Sequence, residues 1–172
     1  MTRFFVYGAG AVGGTIGARL FEAGHEVVLI CRGRHLDVIR SEGLLFRTPE
    51  GERRLRIPAA GSPAEVAWRA DDVVLLCMKT QDTAAALVEL ERWAGCRVPV
   101  VCAQNGVENE RLAARRFADV YAMLVALPAV HLEPGVVVAS GAPLSGCLHA
   151  GRYPRGTDPL IRAACAALDG AG

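Results

Sequence analysis

The sequence predicts an α/β fold: a Rossmann-like, doubly wound parallel sheet with antiparallel edge strands. Three observations indicate this class. Short β-rich runs alternate with helical patterns along the chain, which is typical of strand–helix–strand units. The runs at residues 73–78 (VVLLCM) and 98–103 (VPVVCA) are apolar at consecutive positions, as expected of strands that helices cover on both faces. A glycine-rich turn at residues 8–13 (GAGAVG) joins the first strand to the first helix.

The predicted strands and helices alternate through most of the chain. Strands are expected at residues 3–7, 26–31, 44–47, 54–57, 72–78, 99–103 and 120–127. Helices are expected at residues 11–23, 35–41, 83–93, 109–117 and 158–168. The turn at residues 48–51 (TPEG) predicts that the third and fourth strands form a small hairpin.

The pattern changes after about residue 128. Three short β-rich runs follow, separated by turns rich in proline and glycine, at residues 130–132, 136–140 and 145–150. Such closely spaced runs predict an antiparallel meander. We expect this meander at the edge of the main sheet.

Composition and charge exclude several classes of partner. Nineteen basic and eighteen acidic residues leave a net charge of +1. No basic stripe is interleaved with aromatic residues, so we expect no nucleic-acid partner. No apolar run approaches the roughly 18 residues of a membrane span, and the N-terminus enters a strand without the features of a signal peptide. These features predict a cytoplasmic protein with no membrane partner.

The cysteines and histidines do not form a recognisable metal or catalytic pattern. No C-x-x-C pair is present among the six cysteines, Cys31, Cys77, Cys96, Cys102, Cys147 and Cys165. Neither a zinc site nor a disulfide framework is therefore expected. The four histidines have no partner at a matched spacing, and none is assigned to catalysis: His25, His35, His131 and His149.

The glycine turn satisfies the pattern G-x-G-x-x-G through Gly8, Gly10 and Gly13, between a strand and a helix. In that setting Gly8 permits the tight turn, Gly10 leaves the backbone open to a pyrophosphate, and Gly13 lets the helix pack closely on the strand. The amides at the helix start then favour anionic phosphates. The candidate cofactor-binding residues of the turn are Gly8, Ala9, Gly10, Ala11, Val12 and Gly13. The alternative is a tight turn without a ligand.

The end of the second strand indicates which dinucleotide the turn would bind. An NAD or FAD site usually has Asp or Glu there, which accepts hydrogen bonds from the ribose hydroxyls. This sequence has Cys31-Arg32-Gly33-Arg34 instead. A cation suits the 2′-phosphate of NADP, because a charge-assisted hydrogen bond contributes roughly 1.5–3 kcal/mol. Arg32 therefore predicts NADP(H) as the cofactor. The alternative is that the arginine is only a solvated loop charge. This alternative is stronger for Arg34 than for Arg32.

Two further motifs follow strands. Lys79-Thr80-Gln81 ends the run at 72–78, and Gln104-Asn105-Gly106-Val107 ends the run at 99–103. Together with the glycine turn, Arg32 and the stretch at 127–141 (LPAVHLEPGVVVASG), they closely resemble the ketopantoate reductase (2-dehydropantoate 2-reductase) family. The resemblance covers essentially the whole chain.

The resemblance implies an NADPH-dependent reductase of pantothenate biosynthesis. Its reaction is hydride transfer to a small 2-oxo acid substrate, giving a 2-hydroxy acid such as pantoate. Lys79 is implied both as the catalytic residue that orients the substrate and as a cofactor-binding residue near the nicotinamide, and the alternative is a solvated charge at the end of a strand. Asn105 is implied as a hydrogen-bonding partner of the cofactor near the nicotinamide ribose, and Ala129, by a looser alignment, as a backbone contact near the nicotinamide. The alternative for Asn105-Gly106 is a common turn dipeptide without a ligand.

The same resemblance implies a division of the chain. Residues 1–155 correspond to the NADP-binding Rossmann domain, and residues 156–172 to the start of a connector helix. Family members continue into a C-terminal helical domain that supplies the general-acid lysine, substrate-binding groups and most dimer contacts. We expect that domain to be absent here, since Lys79 is the only lysine in the sequence.

Two interpretations of this departure stay open. The chain is either the truncated cofactor-binding part of a reductase or a freestanding, non-catalytic NADP-binding or regulatory module that needs another chain. In both cases we expect little or no turnover by the chain alone. Apolar surface left uncovered would favour a homo-oligomer.

Overall fold

The computed structural model describes residues 2–172. In chain order the strands are β1 (Arg3–Tyr7), β2 (Glu26–Ile30), β3 (Leu44–Thr48), β4 (Gly51–Leu55), β5 (Ala59–Ala60), β6 (Asp72–Leu76), β7 (Val100–Cys102), β8 (Val120–Ala126), β9 (Ala129–Val130), β10 (Val136–Ala139) and β11 (Cys147–Arg152). The α-helices are α1 (Ala11–Glu22), α2 (Gly33–Glu42), α3 (Thr80–Ala94), α4 (Asn109–Ala114) and α5 (Pro159–Asp169). Within the described residues no helix is long and apolar enough to cross a membrane.

The main sheet has seven strands in the order β11-β8-β7-β6-β1-β2-β5. All neighbours are parallel except β11, which is antiparallel to β8. The chain builds β1, β2 and β5 in one direction and then returns to place β6 on the other side of β1. Ligands of open α/β sheets bind at such a switch point, outside the carboxyl ends of the strands.

The register of the main sheet aligns the ends of its central strands. Tyr7 pairs with both Ile30 and Leu76, and Leu76 also pairs with Cys102. The loops that follow β1, β2, β6 and β7 therefore leave the sheet at the same edge. This alignment brings the sequence motifs that follow these strands to one place.

Helices cover both faces of the main sheet, which confirms the predicted doubly wound class. Phe4 and Val6 belong to a core cluster that includes residues of α1, α2 and α5, whereas Phe5 belongs to a second cluster that includes residues of α3 and α4. Every residue of β6 is buried. Its consecutive apolar positions are explained by this double cover, because each face of the strand contacts a different helical layer.

A second sheet has the order β4-β3-β10-β9 and packs beside α1. The predicted hairpin at its start is confirmed, since Thr48 pairs with Gly51 across the β3–β4 turn. The predicted meander is wrong. β9 and β10 form an antiparallel pair, but β10 joins β3 in parallel, and only β11 forms an antiparallel edge of the main sheet.

Close packing against α1 explains where β10 lies. A Cβ atom on Gly14 would lie 2.6 Å from Cγ2 of Val137. The strand packs this close to α1 because Gly14 has no side chain. Val137 is fully buried there. The sequence pattern of short β-rich runs could not predict that β10 pairs with β3, because such a pattern indicates the length of a strand but not its partner.

Helix α5 is attached to the main sheet at its N-terminus. Asp158 caps the helix by accepting a hydrogen bond from the Ile161 amide (3.0 Å), and it also accepts from Tyr121 (2.9 Å) and Arg152 (2.7 Å). Ile161 and Ala164 are buried in the core. This part of the predicted connector thus packs on the Rossmann layers, and its link to a further domain stays a prediction.

A buried ion pair joins the starts of β1 and β6. Arg3 donates from Nε and Nη2 to the two carboxylate oxygens of Asp72, both at 2.8 Å, and from Nη2 to the Ala67 carbonyl. The Asp72 carboxylate also accepts from the Arg69 amide at 2.6 Å. Since both charges are buried away from water, the attraction between them is needed to offset the hydration that each has lost.

Replacing Arg3 with Met should therefore destabilise the fold strongly. The variant leaves the buried Asp72 carboxylate without its cation, which costs about 3–5 kcal/mol. The control is Arg47→Met, because Arg47 pairs with Glu52 at the surface (3.0 Å) and exposed pairs contribute only about 0–1 kcal/mol. Urea unfolding followed by circular dichroism measures both. Equal losses in the two variants would contradict the assigned role.

Candidate functional site

The turn from β1 into α1 is packed too tightly for side chains at two positions. Gly8 has φ +101°, and a Cβ there would lie 2.5 Å from the backbone nitrogen of Met78. A Cβ on Gly13 would overlap the Gly8 carbonyl oxygen and lie 2.8 Å from Val6 Cγ1. The tight turn and the close helix packing expected of these two glycines are both present.

Gly10 is different, because nothing lies within 4 Å of the place where its Cβ would be. It is the N-cap of α1, with no side-chain cap hydrogen bond and no acidic residue in the first turn. The first amides of a helix lack intrahelical partners and carry a partial positive charge. An open, uncapped helix N-terminus of this kind fits a phosphate group.

Two cavities flank the glycine turn. The larger, about 720 Å³, lies beside the ends of β6 and β7 and is lined by Lys79 and Asn105. The smaller, about 410 Å³, lies beside the end of β2 and is lined by Arg32. The lining residues that they share are Gly8, Gly10, Met78, Asp82 and His131. This arrangement fits a dinucleotide whose two halves lie on either side of a phosphate-binding turn.

A chain of hydrogen bonds fixes the wall of the larger cavity. Asn109 Nδ2 donates to Thr80 Oγ1 (3.2 Å), and Thr80 donates to the Asn105 carbonyl (3.5 Å). The buried Gln104 donates from Nε2 to the Met78 carbonyl (2.6 Å) and to Thr83 Oγ1 (2.8 Å). The two motifs found in the sequence are therefore bonded to each other, while the side chains of Lys79 and Asn105 stay exposed.

The smaller cavity carries charges of both signs. Arg32 is the N-cap of α2, its side chain is 79 % exposed, and its Nη2 lies 3.9 Å from Asp82 Oδ1 on α3. Tyr7 donates to Glu89 at 2.7 Å, and burial together with this bond raises the pKa of Tyr7 well above its usual value. Arg32 lies where the sequence predicted it. Asp82 and Glu89 were missed, because nothing in the pattern of α3 shows which strand end it faces.

Two histidines that the sequence left unassigned meet beside the glycine turn. The rings of His35 and His131 lie 4.2 Å apart, with 50° between their planes. His35 lines the smaller cavity and His131 lines both. They come from distant parts of the chain, so no local spacing could have revealed the pair.

The other predicted residues have different positions. Ala9 lines the smaller cavity, and Ala11 and Val12 line the larger one. Ala129 begins β9 and lines neither cavity, and its contact with a cofactor stays a prediction.

The cysteines beside the site are neutral thiols at ordinary pH. Burial raises the pKa of Cys31 to about 11 and that of Cys77 to about 12. Thiolates are the reactive form of cysteine. These two side chains therefore contribute packing to the site instead of a nucleophile.

The switch-point topology, the glycine turn and the uncapped start of α1 define a Rossmann-like domain of the dinucleotide-binding class. Within that class, the model of the family described as ketopantoate reductase PanE/ApbA matches residues 4–154. The chain belongs to this family.

Relatives named 2-dehydropantoate 2-reductase support the assignment. One from Halobacterium salinarum is 32 % identical over 175 residues, covering 99 % of this chain and 55 % of the relative. One from Pyrococcus horikoshii is 29 % identical over 164 residues, covering 92 % of this chain and 50 % of the relative. The chain thus spans about half the length of these curated relatives.

Solved structures agree with the fold. A PanE/ApbA family ketopantoate reductase from Ralstonia eutropha JMP134 matches with a TM-score of 0.84 and 30 % identity, covering 99 % of this chain and 54 % of the other. D-mandelate dehydrogenase, in its complex with NADH and anilino(oxo)acetate, matches with a TM-score of 0.87 at 22 % identity, covering 99 % and 55 %. At that identity the second likeness concerns the fold alone.

The burial of His35 predicts how stability depends on pH. Burial lowers the pKa of this imidazole, against a smaller opposite effect of its bond to Ala9. The unfolded chain therefore takes up a proton near pH 6.5 that the folded chain binds only at lower pH. Stability from this group should be complete above that pH and decline below it.

Urea midpoints between pH 5 and 7.5 test this expectation. The wild type should lose stability toward pH 5, and His35→Gln should flatten that part of the profile. His149→Gln is the control, because His149 is exposed on β11 and its loss should leave the profile unchanged. Parallel profiles for the wild type and His35→Gln would refute the assignment.

Proposed function

We propose that this chain is the NADP(H)-binding part of a reductase that converts a 2-oxo acid such as 2-dehydropantoate into a 2-hydroxy acid. One observation carries the proposal: a single sheet edge holds an uncapped helix start between two cavities, with Arg32 beside one and Lys79 and Asn105 beside the other. Membership of the ketopantoate reductase family supports the same reaction.

The lining of the two cavities suggests which half of the cofactor each would hold. Arg32 would hold the 2′-phosphate in the smaller cavity, since its guanidinium is exposed and has only a distant carboxylate partner. The amides that follow Gly10 would hold the pyrophosphate. The nicotinamide half would then occupy the larger cavity beside Asn105. When bound there, NADPH supplies a hydride to the carbonyl carbon of the oxo acid.

Lys79 would bind and orient the substrate. It is the N-cap of α3, so its ammonium group and the helix N-terminus act on the same region of the larger cavity. Both favour an anion, and the substrate carries a carboxylate. A fixed carboxylate would hold the ketone at a constant angle to the nicotinamide, which is the positioning that hydride transfer requires.

A proton donor is also required, because the carbonyl oxygen becomes a hydroxyl group. Lys79 is the only lysine among the 172 residues. Because the family resemblance implies a general-acid lysine in a helical domain, we propose that such a domain supplies the donor. Exposed apolar side chains that such a domain would cover are Val107 (86 % exposed), Leu124 (67 %) and Leu132 (88 %). Uncovered apolar side chains would also suit a homo-oligomer.

In this proposal the protein works in the cytoplasm in pantothenate biosynthesis, with neither nucleic acid nor membrane as a partner. The alternative is a non-catalytic NADP-binding or regulatory module that acts with another chain. The presence of a single lysine favours that alternative for the chain by itself.

Fluorescence titration with NADPH, with and without 2-dehydropantoate, tests the proposal, and absorbance at 340 nm reports turnover. We expect saturable NADPH binding that tightens in the presence of the oxo acid. Gly10→Val should weaken NADPH binding at least about tenfold, because its side chain would enter the space left for the phosphates. Lys79→Met should lose the response to the oxo acid and keep most of the NADPH binding.

The remaining outcomes separate the two interpretations. Binding of NADPH without any response to the oxo acid would favour the non-catalytic module, whereas little or no oxidation is expected from the chain alone under either interpretation. Absence of NADPH binding in the wild type would reject both.

The charges of the smaller cavity give a separate prediction on cofactor preference. Arg32→Ala should weaken NADPH binding about ten- to a hundredfold and leave NADH nearly unchanged, because only NADPH carries the 2′-phosphate. Asp82→Asn should strengthen NADPH binding a few-fold, since it removes a carboxylate 3.9 Å from the guanidinium. Arg34→Ala is the matched control, because Arg34 is exposed and lines neither cavity. Equal affinities of the wild type for NADPH and NADH would contradict the role of Arg32.

A further inference from the structure

His35 is held as a neutral imidazole by two backbone groups. Its Nε2 lies 2.8 Å from the Ala9 carbonyl, which can only accept, so Nε2 donates. The Gly135 amide donates to Nδ1 at 2.8 Å. A second proton on the ring would have to displace the Gly135 amide. His35 thus connects the glycine turn to the β9–β10 loop without a charge of its own.

His131 has one free ring nitrogen. Its Nδ1 lies 2.9 Å from the Val136 carbonyl, so Nδ1 carries the hydrogen and donates. Within residues 2–172, Nε2 makes no hydrogen bond. Because His35 is fixed as neutral and the rings lie 4.2 Å apart, one additional proton on this pair belongs on Nε2 of His131.

The surroundings of His131 suit an anionic ligand. It lines both cavities together with Gly8 and Gly10, so its ring lies at the same turn as the uncapped amides of α1. The other titratable or charged side chains that line these cavities are Tyr7, Cys31, Arg32, His35, Cys77, Lys79, Asp82 and Glu89. On its own loop the nearest charge in sequence is Glu133, which is exposed. No acidic residue lies in the first turn of α1 to compete for the proton.

We propose that His131 is a further cofactor-binding residue, which takes up one proton from solvent as a dinucleotide binds and donates it in a hydrogen bond from Nε2 to the pyrophosphate. His35 is then a positioning residue, which holds the Ala9 carbonyl and the β9–β10 loop. This inference rests on the proposed dinucleotide binding. It adds a residue for which neither the glycine motif nor the histidine spacing gave a signal.

The consequence is binding that depends on pH. A ligand whose binding is linked to uptake of one proton loses at most about tenfold in affinity per pH unit, and histidine changes its charge between about pH 5 and 8. Affinity for a dinucleotide should therefore fall by several-fold from pH 6 to pH 8. The 2′-phosphate of NADPH titrates in the same range, as phosphate monoesters do near about pH 6, so NADH and ADP-ribose are the suitable probes.

Isothermal titration of the wild type with NADH and ADP-ribose, in buffers of different ionisation enthalpy, counts the protons taken up at pH 6, 7 and 8. Uptake of a fraction of a proton is expected in the wild type. In His131→Gln that uptake should disappear, and affinity should fall about five- to tenfold at pH 6 with little loss at pH 8, because a charge-assisted hydrogen bond is removed only where the imidazole is charged. His149→Gln is the matched control and should behave as the wild type.

A purely structural role for His131 would give a loss of affinity that is equal at pH 6 and pH 8, with proton uptake unchanged, and this result would overturn the proposal. Should His131→Gln fail to fold, ¹⁵N spectra of the wild-type histidine rings give the answer instead. Nε2 of His131 should become protonated when NADH is added at pH 7, and an unchanged ring would refute the inference. Failure of the wild type to bind NADPH, NADH or ADP-ribose at every pH would reject the proposed function itself.

Discussion

The close approach of the glycine turn to strand β6 is the constraint on which the rest of the site depends. The backbone at Gly8 lies so near Met78 that no side chain fits between them, and Gly13 packs against the Gly8 carbonyl in the same way. This contact holds the start of α1 at the point where the chain crosses from one side of the sheet to the other. Both cavities begin there, so a shift of α1 would alter both at once.

The backbone around the turn is fixed by hydrogen bonds, whereas the charged side chains Arg32 and Lys79 are exposed at its rim. On one side Gln104 and Asn109 connect the start of α3 with the loop after β7. On the other side His35 connects the Ala9 carbonyl with the β9–β10 loop. The exposed side chains Arg32 and Lys79 therefore extend from rigid positions, as precise binding of a ligand requires.

Much of this arrangement was predictable because it follows from local pattern and strand order. The apolar run of β6 indicated a strand covered on both faces, and every one of its residues is buried. Parallel strands end at one edge of a sheet, so the motifs that follow β6 and β7 lie together, and Thr80 is bonded to the Asn105 carbonyl. Arg32 lies two residues after the end of β2, and the fold class was sufficient to predict its place at this edge of the sheet, where it lines the smaller cavity.

The sequence by itself thus determined the fold class, the order of the main elements and the residues at the strand ends. These features depend on periodicity and on glycine geometry, which act over a few residues. Only the tertiary structure decided that β10 joins β3, that Asp82 faces Arg32, and that His35 bonds to Gly135, 100 residues away. Such contacts depend on how helices and short strands pack across the whole chain. For the short strands β9 and β10, of two and four residues, the sequence has too few side chains to specify the partner strand.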